Sequence, residues 1–81
     1  MSKKVVIYTT RYCSYCDAAK NFLQSHGVPF KEIDVTGDDA MRDKLVQMSG
    51  GRETVPQIFV DDKPIGGYDE LVRYYKSGHG L

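Results

Sequence analysis

Apolar and polar positions alternate in blocks along the chain, and the period of each block predicts an element. Lys4-Val5-Val6-Ile7-Tyr8-Thr9 is a run of β-branched and aromatic residues. It reads as a strand apolar enough to be buried on both faces. From about Ser14 the period changes. Cys16, Ala19, Phe22 and Leu23 recur at steps of three and four, which marks one face of a helix. Gly27 stops that helix, and Pro29 lies just beyond. Val28 to Val35 reads as a second strand, with Phe30, Ile33 and Val35 apolar among polar neighbours.

Asp38 or Asp39 is placed to cap a second helix with Met41, Leu45 and Met48 inward, ended by Gly50-Gly51. Gln57 to Val60 is a third strand. Asp61-Asp62-Lys63-Pro64 is a tight turn, and Pro64-Ile65-Gly66 a short fourth strand whose proline confines it to an edge. A third helix is expected from about Asp69, with Leu71, Val72 and Tyr75 inward, and the tail from Lys76 to Leu81 is expected to fray. The order is β-α-β-α-β-β-α, an α/β pattern. The first two strands need a right-handed parallel crossover, and the last two are close enough for a hairpin.

A chain of 81 residues is expected to form one domain, residues 1–81, with a modest core. Two cysteines are too few for a disulfide scaffold. Eleven basic and eleven acidic side chains balance to zero, which argues against nucleic acid or an anionic membrane as partner. No apolar run approaches a membrane span, and Val5-Val6-Ile7 is too short for a secretion signal. The expectation is a cytoplasmic protein of a reducing compartment, where a close cysteine pair signals redox or metal chemistry.

Cys13-Ser14-Tyr15-Cys16 lies at a strand-to-helix junction. A thiol attacks a disulfide only as thiolate, and the free N–H groups and partial positive charge of a helix start favour that form. Arg11 adds positive charge nearby. Cys16, one turn on, can resolve a mixed disulfide on Cys13. Two other readings exist. A closed zinc site needs four ligands, and His26 and His79 do not supply a matching pair. Inert core cysteines are the other alternative.

Three segments in order then match one family. Cys13-Ser14-Tyr15-Cys16 resembles the glutaredoxin active-site run Cys-Pro-Tyr-Cys. Thr54-Val55-Pro56 resembles its Thr-Val-Pro segment. Gly66-Gly67-Tyr68-Asp69-Glu70-Leu71 resembles its Gly-Gly-x-Asp-Asp/Glu-Leu segment. The resemblance implies a thioredoxin-like fold: a four-stranded mixed sheet in the order 2-1-3-4 with helices on both faces. It implies a cis peptide bond between Val55 and Pro56, since X-Pro is the linkage where cis is cheap. It implies an enzyme that reduces protein–glutathione mixed disulfides and protein disulfides, with Cys13 as nucleophile and Cys16 resolving.

Glutathione is the co-substrate the family implies, recharged by glutathione reductase and NADPH, with no tightly bound cofactor and a monomeric state. Ribonucleotide reductase is among the implied partners. The implied glutathione site runs through Arg11, Tyr15, Arg52, Thr54, Val55, Pro56, Gly67, Tyr68 and Asp69. Val55 would pair main chain to main chain with the ligand's cysteinyl part. The third helix start would hold the γ-glutamyl carboxylate, with Asp69 taking the ammonium. Arg52 would meet the glycyl carboxylate, and the Tyr15 ring would cover the groove. The bland readings are a cap only for Asp69, a solvated loop arginine for Arg52 and plain surface for Tyr15.

The chain departs from the family pattern at four places. Thr10 stands where a lysine is usual, Ser14 where proline is usual, and Tyr68 where cysteine or serine is usual, and the chain ends early. Variant active sites in this family include carriers of a [2Fe-2S] cluster bridging two chains, so Ser14 keeps that alternative open. A redoxin served by thioredoxin reductase is a further alternative, against which Arg52, Tyr68 and Asp69 count.

Overall fold

The computed structural model describes residues 3–78. The elements follow the expected order: β1 (Val5–Thr9), α1 (Ser14–Ser25), β2 (Lys31–Asp34), α2 (Asp39–Met48), β3 (Gln57–Val60), β4 (Lys63–Gly66) and α3 (Tyr68–Lys76). They build one four-stranded sheet in the order β2-β1-β3-β4. β1 runs parallel to β2, with Tyr8 opposite Ile33, and antiparallel to β3, with Ile7 opposite Ile58. β3 and β4 form the hairpin.

β1 is buried on both faces because successive side chains point to opposite sides of a sheet covered twice. Val5 and Ile7 join Ile58, Val60, Ala19, Leu23 and Leu71 in a core under α1 and α3. Val6 and Phe59 join Val35 and Leu45 in a second core under α2. The loop that leaves β1 leads directly into the start of α1. Among the described residues no helix is long and apolar enough to cross a membrane.

Several boundaries differ from the sequence reading, each for a local reason. β2 begins at Lys31 rather than Val28. The Val28 N–H closes the end of α1 on the Leu23 carbonyl at 2.9 Å, with Gly27 at φ +67°. β4 begins at Lys63, because only Asp61 and Asp62 form the turn, both with positive φ. That is the two-residue geometry that matches strand twist. Met48 was expected inward but lies at the end of α2, 40% exposed. α3 starts at Tyr68 with Gly67 as its N-cap, not at Asp69. Leu71 is fully buried there, Val72 and Tyr75 only half-buried, and Tyr74 packs on the core. Of the expected fraying tail, α3 runs to Lys76 and residues 79–81 lie outside the described residues.

Candidate active site

Cys13 is the N-cap of α1, with extended backbone and a half-buried side chain. Its sulfur accepts the N–H of Cys16 at 3.1 Å, the place a serine or aspartate oxygen takes in an ordinary cap. On its other side the Cys13 thiol approaches the Val55 carbonyl at 3.7 Å. Cys16 is 1% exposed. Burial, then its hydrogen bond with Cys13, pushes its thiol up to about 12. Both cysteines are free thiols. One sulfur is thus offered to solvent and the other is kept protonated beneath it.

The Val55–Pro56 peptide is cis, as the resemblance implied. Beside it opens a cleft of about 350 Å³, lined by Tyr15, Arg52, Thr54, Val55, Pro56, Gly67, Tyr68, Asp69 and Glu70. Eight of these nine belong to the glutathione site that the resemblance implied. The chain brings them together from the start of α1, the loop before β3 and the start of α3. The rings of Tyr15 and Tyr68 stand 6.4 Å apart across it, and Tyr15 is 63% exposed. Arg11 is not part of this lining. Its N–H donates to the Thr36 hydroxyl at 2.8 Å, and its positive charge acts on Asp34 at the end of β2.

Glu70 is the ninth residue and received no role from sequence. Its Oε1 accepts the Gly67 N–H at 3.0 Å and also the Arg52 guanidinium. Its Oε2 accepts from Arg73 at 3.1 Å. The Gly67 N–H above all, helped by Arg52 and Arg73, holds the Glu70 carboxyl below the usual carboxylate range. A glutamate at the third position of a helix that reaches back to the cap N–H is a readable signal. The expected cap at Asp69 is corrected accordingly. Gly66 is required by the same fold-back: it sits at φ +118°, and a Cβ there would lie 2.7 Å from Glu70 Cγ.

The Arg52 backbone is fixed as well. Its N–H donates to the Ser49 hydroxyl at 3.1 Å, and the buried Gln57 amide donates to its carbonyl at 2.8 Å. Sequence reasoning missed both partners, which carry no motif. Of the histidines weighed for zinc, His26 stacks between Phe22 and Tyr75, and His79 lies outside the described residues. Among the described residues no group of three or more His, Cys, Asp or Glu is placed to hold a metal ion.

The arrangement sets a half-buried thiol, 3.7 Å from the Val55 carbonyl, beside a cleft that carries one guanidinium and the start of a helix. Known proteins resemble this chain. The glutaredoxin family model matches residues 5–65. Glutaredoxin 3 of Escherichia coli strain K12 is 49% identical over 67 residues, covering 83% of this chain and 80% of that one. The crystal structure of a buckwheat glutaredoxin–glutathione complex superposes with a TM-score of 0.84 at 29% identity, covering 94% of this chain and 71% of that one. Glutaredoxin 1 from Francisella tularensis, in a crystal structure with cacodylate, superposes at 0.82 and 33% identity, covering 99% and 100%. A dithiol helix cap, a cis-proline turn beside it and a matching family model over most of the chain lead to one conclusion: the chain belongs to the glutaredoxin family.

Proposed function

We propose that this chain is a cytosolic, glutathione-dependent thiol–disulfide oxidoreductase that acts on protein–glutathione mixed disulfides and on protein disulfides. The observation that carries the reading is the Cys13 sulfur, capping α1 at 3.1 Å from the Cys16 N–H and lying beside the cleft. A helix start is a favourable place for a negatively charged group, and Cys13 occupies the cap position of α1.

The Cys13 thiolate attacks the glutathione sulfur of a mixed disulfide. The S–S bond to the protein breaks, and the departing protein thiolate takes a proton. Cys13 then carries glutathione, seated along Val55 with its γ-glutamyl carboxylate at the first N–H groups of α3 and its ammonium at Asp69. Arg52 faces the glycyl carboxylate. A second glutathione thiolate attacks the glutathione already bound, releases glutathione disulfide and returns Cys13 as thiolate. On a protein disulfide, Cys16 instead attacks the Cys13 mixed disulfide, gives its proton to the leaving thiolate and closes the Cys13–Cys16 bond. Two glutathione molecules then reopen it.

Cys13→Ser and Cys16→Ser compared in an assay coupled to glutathione reductase test the roles. Cys13→Ser is expected to be inactive. Cys16→Ser is expected to retain deglutathionylation and lose reduction of protein disulfides. Equal residual activity in both variants overturns the assignment.

A further inference from the structure

We propose that Glu70 is the positioning residue of the cleft: it aims the Arg52 guanidinium and fixes the mouth of α3, and so sets the affinity for the ligand's two carboxylates. The proposal rests on the functional reading above and deepens it. Ser49 and Gln57 immobilise the Arg52 backbone, which leaves the long side chain as the remaining freedom. Ordering a free arginine side chain costs rotamer entropy, which a binding event would otherwise have to supply. Here Glu70 Oε1 already holds Arg52 Nη2. A guanidinium has five N–H donors, so that bond leaves others for an incoming carboxylate.

The same oxygen takes the Gly67 N–H. It satisfies the cap position and leaves the N–H groups of Tyr68 and Asp69, which have no partner within the helix, for the other carboxylate. One atom thus ties the loop before β3 to the start of α3 across the rim of the cleft. A bare carboxylate so close would repel an anionic ligand. Two guanidinium groups, Arg52 and Arg73, face the Glu70 charge and more than neutralise it, which leaves the Asp69 carboxylate for the ligand's ammonium. Gly66 is the room the fold-back needs, since any Cβ there would occupy the space of Glu70 Cγ.

The test compares Glu70→Gln, Arg52→Gln and the double variant on a glutathionylated peptide with reduced glutathione. Glu70→Gln should raise KM about tenfold with kcat changed less than about twofold, the scale of one charged hydrogen bond. Arg52→Gln should add little in the Glu70→Gln background, because contacts acting as a unit are not additive. Unchanged KM with only a lower melting temperature, or fully additive effects, overturns the proposal. A second arm needs no variant: in the wild type, NMR of the Arg52 side-chain N–H should show it ordered at neutral pH and loosened as acid protonates Glu70. Arg52 and Arg73 keep their charge throughout that titration. A freely tumbling Arg52 at neutral pH overturns the proposal even if Glu70→Gln fails to fold. A wild type without glutathione-dependent turnover would remove the functional reading and this proposal together. Normal wild-type turnover with unaltered Glu70→Gln kinetics would remove this proposal alone.

Discussion

The starts of α1 and α3 face the same cleft and solve the same problem in opposite ways. Each helix opens with N–H groups that lack partners and a partial positive charge. At α1 the cap is Cys13, whose sulfur accepts from the backbone and is also the nucleophile proposed above. At α3 the cap acceptor is the Glu70 carboxylate, which takes no part in the proposed chemistry and leaves the next N–H groups to the proposed ligand. α2 supplies the reference. There Asp38 accepts the Met41 N–H at 3.0 Å, away from the cleft, as a plain cap. Backbone physics is common to all three, and the capping atom decides whether a helix start reacts, binds or merely folds.

The largest test of this contrast is chemical. At pH 8 only about one Cys16 thiol in ten thousand is ionised if its value is about 12. Brief alkylation of the native reduced protein should therefore modify Cys13 alone, and both cysteines should react in denaturant. Mass spectrometry of the alkylated peptides reads the outcome, and rapid native labelling of Cys16 would break the contrast. A pH dependence accompanies it. Folded Cys16 keeps its proton up to about 12, whereas the unfolded thiol releases it near 9.0. Between those values the folded state binds more protons, so Cys16 stabilises the reduced protein below about 9 and that contribution is lost as pH rises toward about 12. A Cys16→Ala variant should lack that part of the alkaline decline in urea denaturation.

Next in size is Gly66→Ala. It forces a side chain into a positive-φ position and into Glu70, and should cost about 1–3 kcal/mol from backbone strain alone. Calorimetry should show the lower melting temperature, and KM for glutathionylated peptide should rise as the α3 end is displaced. A normal melting temperature would show that Glu70 does not need the space.

The smallest effects separate capping from chemistry. Cys13→Ala and Asp38→Ala each remove a cap acceptor and should each cost about 1 kcal/mol in denaturant unfolding. Cys13→Ser keeps an acceptor and should stay near wild-type stability while losing activity. Asp38→Ala should lose stability and keep activity. If Cys13→Ala were as stable as Cys13→Ser, the sulfur would not be a structural cap.

Much of this was legible in the sequence because it is local. Apolar, β-branched runs marked the strands and steps of three and four the helices, and Cys13 and Cys16 stand at a spacing one helix turn defines. The implied glutathione site even included eight of the nine residues that line the cleft. What the tertiary structure alone decided lies between residues far apart in the chain. Cys13 meets Val55 across 42 positions, and Arg52 meets Glu70 across 18. Arg11, near Cys13 in sequence, is not part of the cleft lining, and its backbone N–H is held by the Thr36 hydroxyl. Local pattern records propensity and burial, but the direction of a long charged side chain depends on which partner the fold brings within hydrogen-bond reach.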